Sequence, residues 1–280
     1  MVKVPGDPHG APSLTTQRSM IIREQQFQVL TADAAGRFDA SLVDHVREKF
    51  PFPAAYVPRE DLARLVDDST AKAHGYGFQA AGALRFFVDC AVLLGAGFDE
   101  DPLFFWIRDI LDDQSDNDEM TKASRLHMHV DNYLGTVYGA RGELALPGLQ
   151  KIATASSADL ASAGASFETS IAWLRAMHPE KCDYAGKAAL ETLAATAQTD
   201  AVQAGFPPGK GAALLAGLRF AFGAGVLSDP LFPWLAATWG DRAAAPEDRF
   251  ARLVQRSQAY MRRVLQVVTA AQDASPSRGL

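Results

Sequence analysis

The sequence predicts an all-α protein built from two tandem helical repeats. Two observations carry the prediction. No segment alternates polar and apolar residues with a period of two, whereas apolar residues recur at helical spacing between proline, glycine and capping residues. The chain also repeats itself. "GAGFDEDPLFFW" (Gly95 to Trp106) and "GAGVLSDPLFPW" (Gly223 to Trp234) agree at eight of twelve positions, 128 residues apart. Upstream at the same offset, Gly77-Phe78 falls on Gly205-Phe206, Leu62 and Leu65 on Leu190 and Leu193, Pro51 on Pro179 and Arg47 on Arg175. Downstream, one residue lost from a polar loop makes the offset 127. Arg125-Leu126 then meets Arg252-Leu253, Tyr133 meets Tyr260 and Val137 meets Val264. A repeat of this length implies duplication of a whole structural unit. The expected organisation is a disordered leader (1–19), unit 1 (20–139), a linker (140–147), unit 2 (148–271) and a disordered tail (272–280). Each unit holds about five helices, and the two are expected to pack as a pseudo-two-fold pair.

In unit 1, "REQQFQVLTADAAGRFDASLVDHVREKF" reads as a long helix stopped by Pro51 and Pro53. "PREDLARLVDDSTAKAHG" follows, with proline at its start, acids in its first turn and Gly75 at its end. "QAAGALRFFVDCAVLLG" is an apolar central helix, "DPLFFWIRDIL" a short one, and "NDEMTKASRLHMHVDNYLGTVYG" closes the unit. Unit 2 repeats the order over 149–178, 186–204, 208–222, 230–239 and 246–271.

A chain of 280 residues with 48% hydrophobic and 21% charged residues has the composition of a soluble globular protein. Its net charge of −6 argues against a nucleic-acid partner, because phosphate backbones are bound by clustered Lys and Arg. The N-terminus lacks the apolar core of a secretion signal, and the most apolar stretch, "AALLAGLRFAFGAGVL", is interrupted by Arg219 and three glycines. A cytoplasmic protein without a membrane span is expected. Cys90 and Cys182 have no disulfide or zinc spacing, and Cys90 reads as a small core residue.

Each candidate for chemistry competes with a structural reading. Of the string Asp99-Glu100-Asp101, only the aspartate before proline recurs, as Asp229. That is the pattern of a helix start, with Asp101 or Asp229 as N-cap and Pro102 or Pro230 at the first helical position. Gly95, Gly97, Gly223 and Gly225 follow apolar helices, where a left-handed C-cap is expected. "GFPPGKG" lacks the spacing, the Ser/Thr and the strand of a phosphate loop. His127 and His129 point about 200° apart on a helix and cannot readily share a metal. No nucleophile, base and orienter assemble, so no catalytic, cofactor or metal residue is assigned. The aromatics of "LFFWI" and "LFPWL", with Trp106 and Trp234, are expected mostly in the core, and any left outside would be anchors for another protein. Phe98, Asp99, Glu100, Phe105, Asp112 and Asp113 form the candidate partner-binding set.

"MIIREQQFQVL…RFDASLVDHVREKFP" followed by "HGYGFQAAGALRFFVDCAVLLGAGFDEDPLFFWIRDIL" resembles a family of small helical accessory proteins of proteobacterial type VI secretion cargo gene clusters. The shared pattern is an N-terminal Met-x-Ile/Arg helix, a His-Phe-Pro-like stop, a Tyr-Gly-Ile/Leu step, an apolar helix and Gly-x-x-Phe-Asp-x-Asp-Pro-x-x-Pro-Trp. Unit 2 keeps the Pro-Trp but loses the Phe-Asp, whereas unit 1 keeps Phe98-Asp99 and has Phe105 in place of the proline. The resemblance implies an accessory role in handling an effector or spike component, with no cofactor. The leading expectation is a non-catalytic adaptor or chaperone. The alternatives are an immunity protein that neutralises a toxic effector, for which an acidic surface of Asp99, Glu100 and the loop Asp112 to Glu119 would suit a basic target, and an enzyme or toxin with an unrecognised site.

Overall fold

The computed structural model describes residues 24–113 and 118–274, and every regular element among them is helical. The expected leader, most of the tail and the middle of the acidic loop lie outside the described residues. The chain divides between Phe38 and Asp39 into two compact units, and the second, from Asp39 onward, holds the core and both glycine motifs.

Helix α1 (Glu24–Lys49) carries Leu42, Val43 and Val46 on one buried stripe and ends at the Phe50-Pro51 step. His45 and Lys49, one turn apart, both reach Asp89 at 2.8 and 2.6 Å, so a buried carboxylate ties the end of this helix to the central one. After a short turn, α2 (Pro51–Ala54), comes α3 (Arg59–Gly75). It opens behind Pro58 with Glu60 and Asp61 and buries Leu62, Leu65, Val66, Ser69 and Ala73 at helical spacing. Gly77, at φ +89°, turns the chain so that the Phe78 amide bonds back to the Ala73 carbonyl. The apolar helix α4 (Ala81–Leu94) follows and packs on α3. Cys90 is fully buried in it, as its surroundings in the sequence suggest.

The Asp-Pro step opens a single 3-10 turn, Pro102–Phe104, and helix α5 (Phe105–Leu111) begins only after it. This corrects the expectation of one helix from Asp101. The break is at Phe104, whose φ of −120° and ψ of 44° are not helical. α6 (Glu119–Tyr138) completes the first half, capped by Asp118 on the Thr121 amide.

In place of the one helix expected over 149–178, three are present: α7 (Leu146–Thr154), α8 (Ser157–Ala163) and α9 (Phe167–Met177). The causes are local. Ser156 with Asp159, and Ser166 with Thr169, form reciprocal capping boxes that each start a new helix. Gly164 ends α8 where its backbone meets that of Gly209, and no side chain fits there. α10 (Pro179–Gln203) is broken at Gly186, at φ +79°, so its main part begins at the expected helix start. α11 (Lys210–Phe222), α12 (Pro233–Gly240) and the long amphipathic α13 (Pro246–Ala274) complete the chain. As in the first half, the helix after Asp-Pro is delayed by a non-helical aromatic, Phe232, at φ −123° and ψ 57°. α10 packs along α9 and α11, α13 along α7, and the Pro102–Phe104 turn against α10.

Candidate functional site

The two glycine motifs meet each other. Gly95, at φ +104°, and Gly223, at φ +102°, close their helices with conformations that side chains rarely adopt, and the two loops cross backbone to backbone. A Cβ on Gly95 would lie 2.5 Å from the Phe222 carbonyl oxygen, and one on Gly223 would lie 2.8 Å from that of Leu94. Carboxylates clamp the crossing from both sides. Asp101 accepts the Leu103 amide at 2.9 Å within its own turn and the Ala224 amide at 2.7 Å across the junction. Asp229 accepts the Leu231 amide at 2.8 Å and, across the junction, the Ala96 amide at 2.9 Å. Burial outweighs these four donors, raising the Asp101 carboxyl above its ordinary range and pushing that of Asp229 up to about 6. Pro102 and Pro230 stand at the turns after the clamps, and Trp106 and Trp234 pack beside Tyr133 and Tyr260.

The candidate partner-binding set is divided by the structure. Phe98 is buried 4.8 Å from the ring of Phe87. Asp99 is also buried, held by Lys72 Nζ at 2.7 Å and by the Tyr76 hydroxyl at 3.2 Å. The pairing leaves its mark on the tyrosine: burial first, then the Asp99 charge, pushes the Tyr76 phenol up to about 12. Phe98 and Asp99 are therefore internal, and the expectation of a solvated or partner-facing acid at Asp99 is corrected by its ion pair. Asp113 is half-buried and bridged by Arg125 at 2.8 Å. Glu100, Phe105 and Asp112 are exposed. On α5 and at its C-cap, Phe105, Arg108, Asp109 and Asp112 follow at helical spacing and share one exposed face, on which Arg108 pairs with Asp112 at 3.0 Å and Phe105 is 56% exposed. His127 is exposed, His129 stacks on Trp106, and no cluster among the described residues could hold a metal ion.

A second site escapes sequence reasoning. Where α9 gives way to α10, His178 and Lys181 are both buried and line a cavity of about 200 Å³. The Lys181 ammonium donates to the Phe220 carbonyl at 2.6 Å and lies over the rings of Phe220, Phe104 and Tyr138 at 5.2, 5.7 and 6.0 Å. His178 Nδ1 accepts the Lys181 amide at 3.2 Å, capping the helix, while Nε2 is buried with no hydrogen-bond partner among the described residues. Burial, with the Lys181 charge beside it, outweighs the opposing pull of Glu180 and lowers the imidazole below its ordinary range, which favours the neutral ring. The only sign in the sequence is "HPEK", a histidine and a lysine three apart around a helix-starting proline. Among the described residues no helix is long and apolar enough to cross a membrane. Set against protein-family models, curated proteins and solved structures, the chain matches none of them.

Proposed function

We propose that the chain is a duplicated, non-catalytic helical binding protein whose partner is another protein: an adaptor or chaperone for a secretion effector or spike component, as its resemblance implies. Duplication is supported by matched interactions at the offsets read from the sequence. Asp101 and Asp229 make the same pair of bonds. Arg125 with Asp113 at 2.8 Å corresponds to Arg252 with Asp241 at 2.7 Å. Lys122 donates to the Tyr76 carbonyl, and Arg249, its counterpart, donates to that of Ala204, the counterpart of Tyr76. Phe104 meets Tyr133 edge-on as Phe232 meets Tyr260.

The protein-binding reading is carried by Phe105. A phenylalanine more than half exposed, on a face it shares with Asp109 and Asp112, buries its ring only if a partner covers it. Proteins encoded beside the gene are the first partners to test, by affinity capture with the native chain and with Phe105→Ser. Capture of an effector or spike component by the native chain, lost in the variant with an unchanged melting temperature, is the expected result. Equal capture by both would refute the role of this face. The acids of the same face favour a second reading, immunity toward a basic toxin. Rescue of cell growth on co-expression, with no change in effector secretion, selects it over the chaperone.

A further inference from the structure

We propose that the cavity beside His178 and Lys181 binds a small monocarboxylate with an apolar body, its carboxylate on the two side chains and its hydrocarbon along the wall. The polar side chains of the cavity, Lys181, His178 and Tyr138, can each donate a hydrogen bond, and none of them carries a negative charge. Lys181 spends one N–H on the Phe220 carbonyl, and no carboxylate among the described residues is in ion-pair contact with it. Asp101, whose carboxyl feels its charge, already accepts a backbone amide on each oxygen. Because His178 Nδ1 accepts a backbone amide, the neutral ring carries its proton on Nε2, a buried donor with no acceptor among the described residues. Glu180, 3.4 Å from Nδ1, is 41% exposed and does not line the cavity. A buried donor beside an incompletely paired ammonium calls for an anionic acceptor.

The remainder of the lining selects the body of the ligand. Leu93, Leu149, Met177, Phe222 and Val264 make the wall apolar, and Leu93, 40% exposed, brings it to the surface. A second cavity of about 170 Å³ shares Leu93, Tyr138, Ala221, Phe222 and Val264 and extends to Tyr260. Two donors suit a carboxylate, whereas phosphate would leave most of its oxygens facing hydrocarbon. An unbranched chain fits the run from one cavity into the next.

Isothermal titration of the full chain with decanoate, decanol, decyltrimethylammonium and inorganic phosphate tests the assignment. Saturable one-to-one binding of decanoate is expected, with decanol at least about tenfold weaker, which is the worth of a charge-assisted hydrogen bond. The cation and phosphate should not compete. Lys181→Met should weaken decanoate by a similar factor. Because Lys181 also holds the Phe220 carbonyl, a second variant is needed: Ala221→Phe fills the shared wall without touching a polar group and should abolish binding while the chain stays folded. No binding of decanoate, decanol as tight as decanoate, phosphate as tight as decanoate, or undiminished binding in Ala221→Phe would each overturn the proposal. Failure to capture a protein partner bears only on the Phe105 face and leaves this site to its own test.

Discussion

The crossing of the glycine loops can be tested with one methyl group at a time. Gly95→Ala puts a Cβ 2.5 Å from a backbone oxygen, in a conformation at φ +104° that alanine resists. The conformation alone costs about 1–3 kcal/mol. The oxygen belongs to Phe222, at the end of α11, so relief requires the two loops to part. Parting stretches the Ala96–Asp229 and Ala224–Asp101 bonds, each worth roughly 1.5–3 kcal/mol because one partner is a carboxylate. A loss of about 4 kcal/mol or more is expected for Gly95→Ala, and nearly as much for Gly223→Ala, whose Cβ meets the Leu94 oxygen at 2.8 Å. Gly97→Ala is the control within the same motif. Its Cβ would lie 3.7 Å from Gly225 Cα, ordinary contact at an ordinary φ, so a change below about 1 kcal/mol is expected. Urea denaturation followed by tryptophan fluorescence gives each value. The double variant Gly95→Ala/Gly223→Ala should cost clearly less than the sum of the singles, since the first methyl already opens the junction that the second would open. Strict additivity, or a Gly97→Ala as damaging as Gly95→Ala, would refute the crossing.

Other consequences are open to simple assays. Gly82 is exposed in the first turn of α4, and a methyl group added to it would meet nothing within 4 Å, so Gly82→Ala should raise stability by about 0.5 kcal/mol or less in the same urea series, below the helix-interior value. Because burial lifts the Asp229 carboxyl from 3.8 to about 6, the folded state binds more protons than the unfolded one between those values. Stability should therefore fall as pH rises through that window, by up to about 3 kcal/mol for this group. Asp229→Asn should flatten the fall seen in urea midpoints between about pH 4 and about pH 7, which span that window, and an unchanged slope would assign it elsewhere. Burial raises both thiols, that of Cys182 to about 11, so neither should react with an aromatic disulfide reagent until urea unfolds the chain. Prompt labelling of the native protein would contradict their burial.

What can be read from the sequence is what local rules govern. Asp101 and Asp229 are recognisable as caps because Asp-Pro has a local meaning, and each does accept the amide two residues on. Its second bond, across the junction, has no local sign. Asp99 misleads for the same reason: in a run of three acids it resembles a solvated loop, and its partners Lys72 and Tyr76 are on and just beyond α3. The three helices over 146–177 do leave local signs, in the Ser-x-x-Asp and Ser-x-x-Thr spacings of their capping boxes, but the apolar periodicity running through them suggests one longer helix.

On the proposed duplication, the repeated residues are those that the junction needs, and positions that differ are free to acquire chemistry. At the offset of 128 residues, Phe50 corresponds to His178 and Pro53 to Lys181, so the first unit has neither donor of the buried pair. Phe105 corresponds to Pro233, so the second unit has no exposed aromatic at that place. On that reading each half carries what the other lacks: one presents a ring on a charged face, the other encloses an ammonium and an imidazole. The shared glycine and aspartate motif fixes both in one scaffold. A search for function guided by the repeat would consequently arrive at the clamp, whereas the two candidate sites lie where the repeat fails.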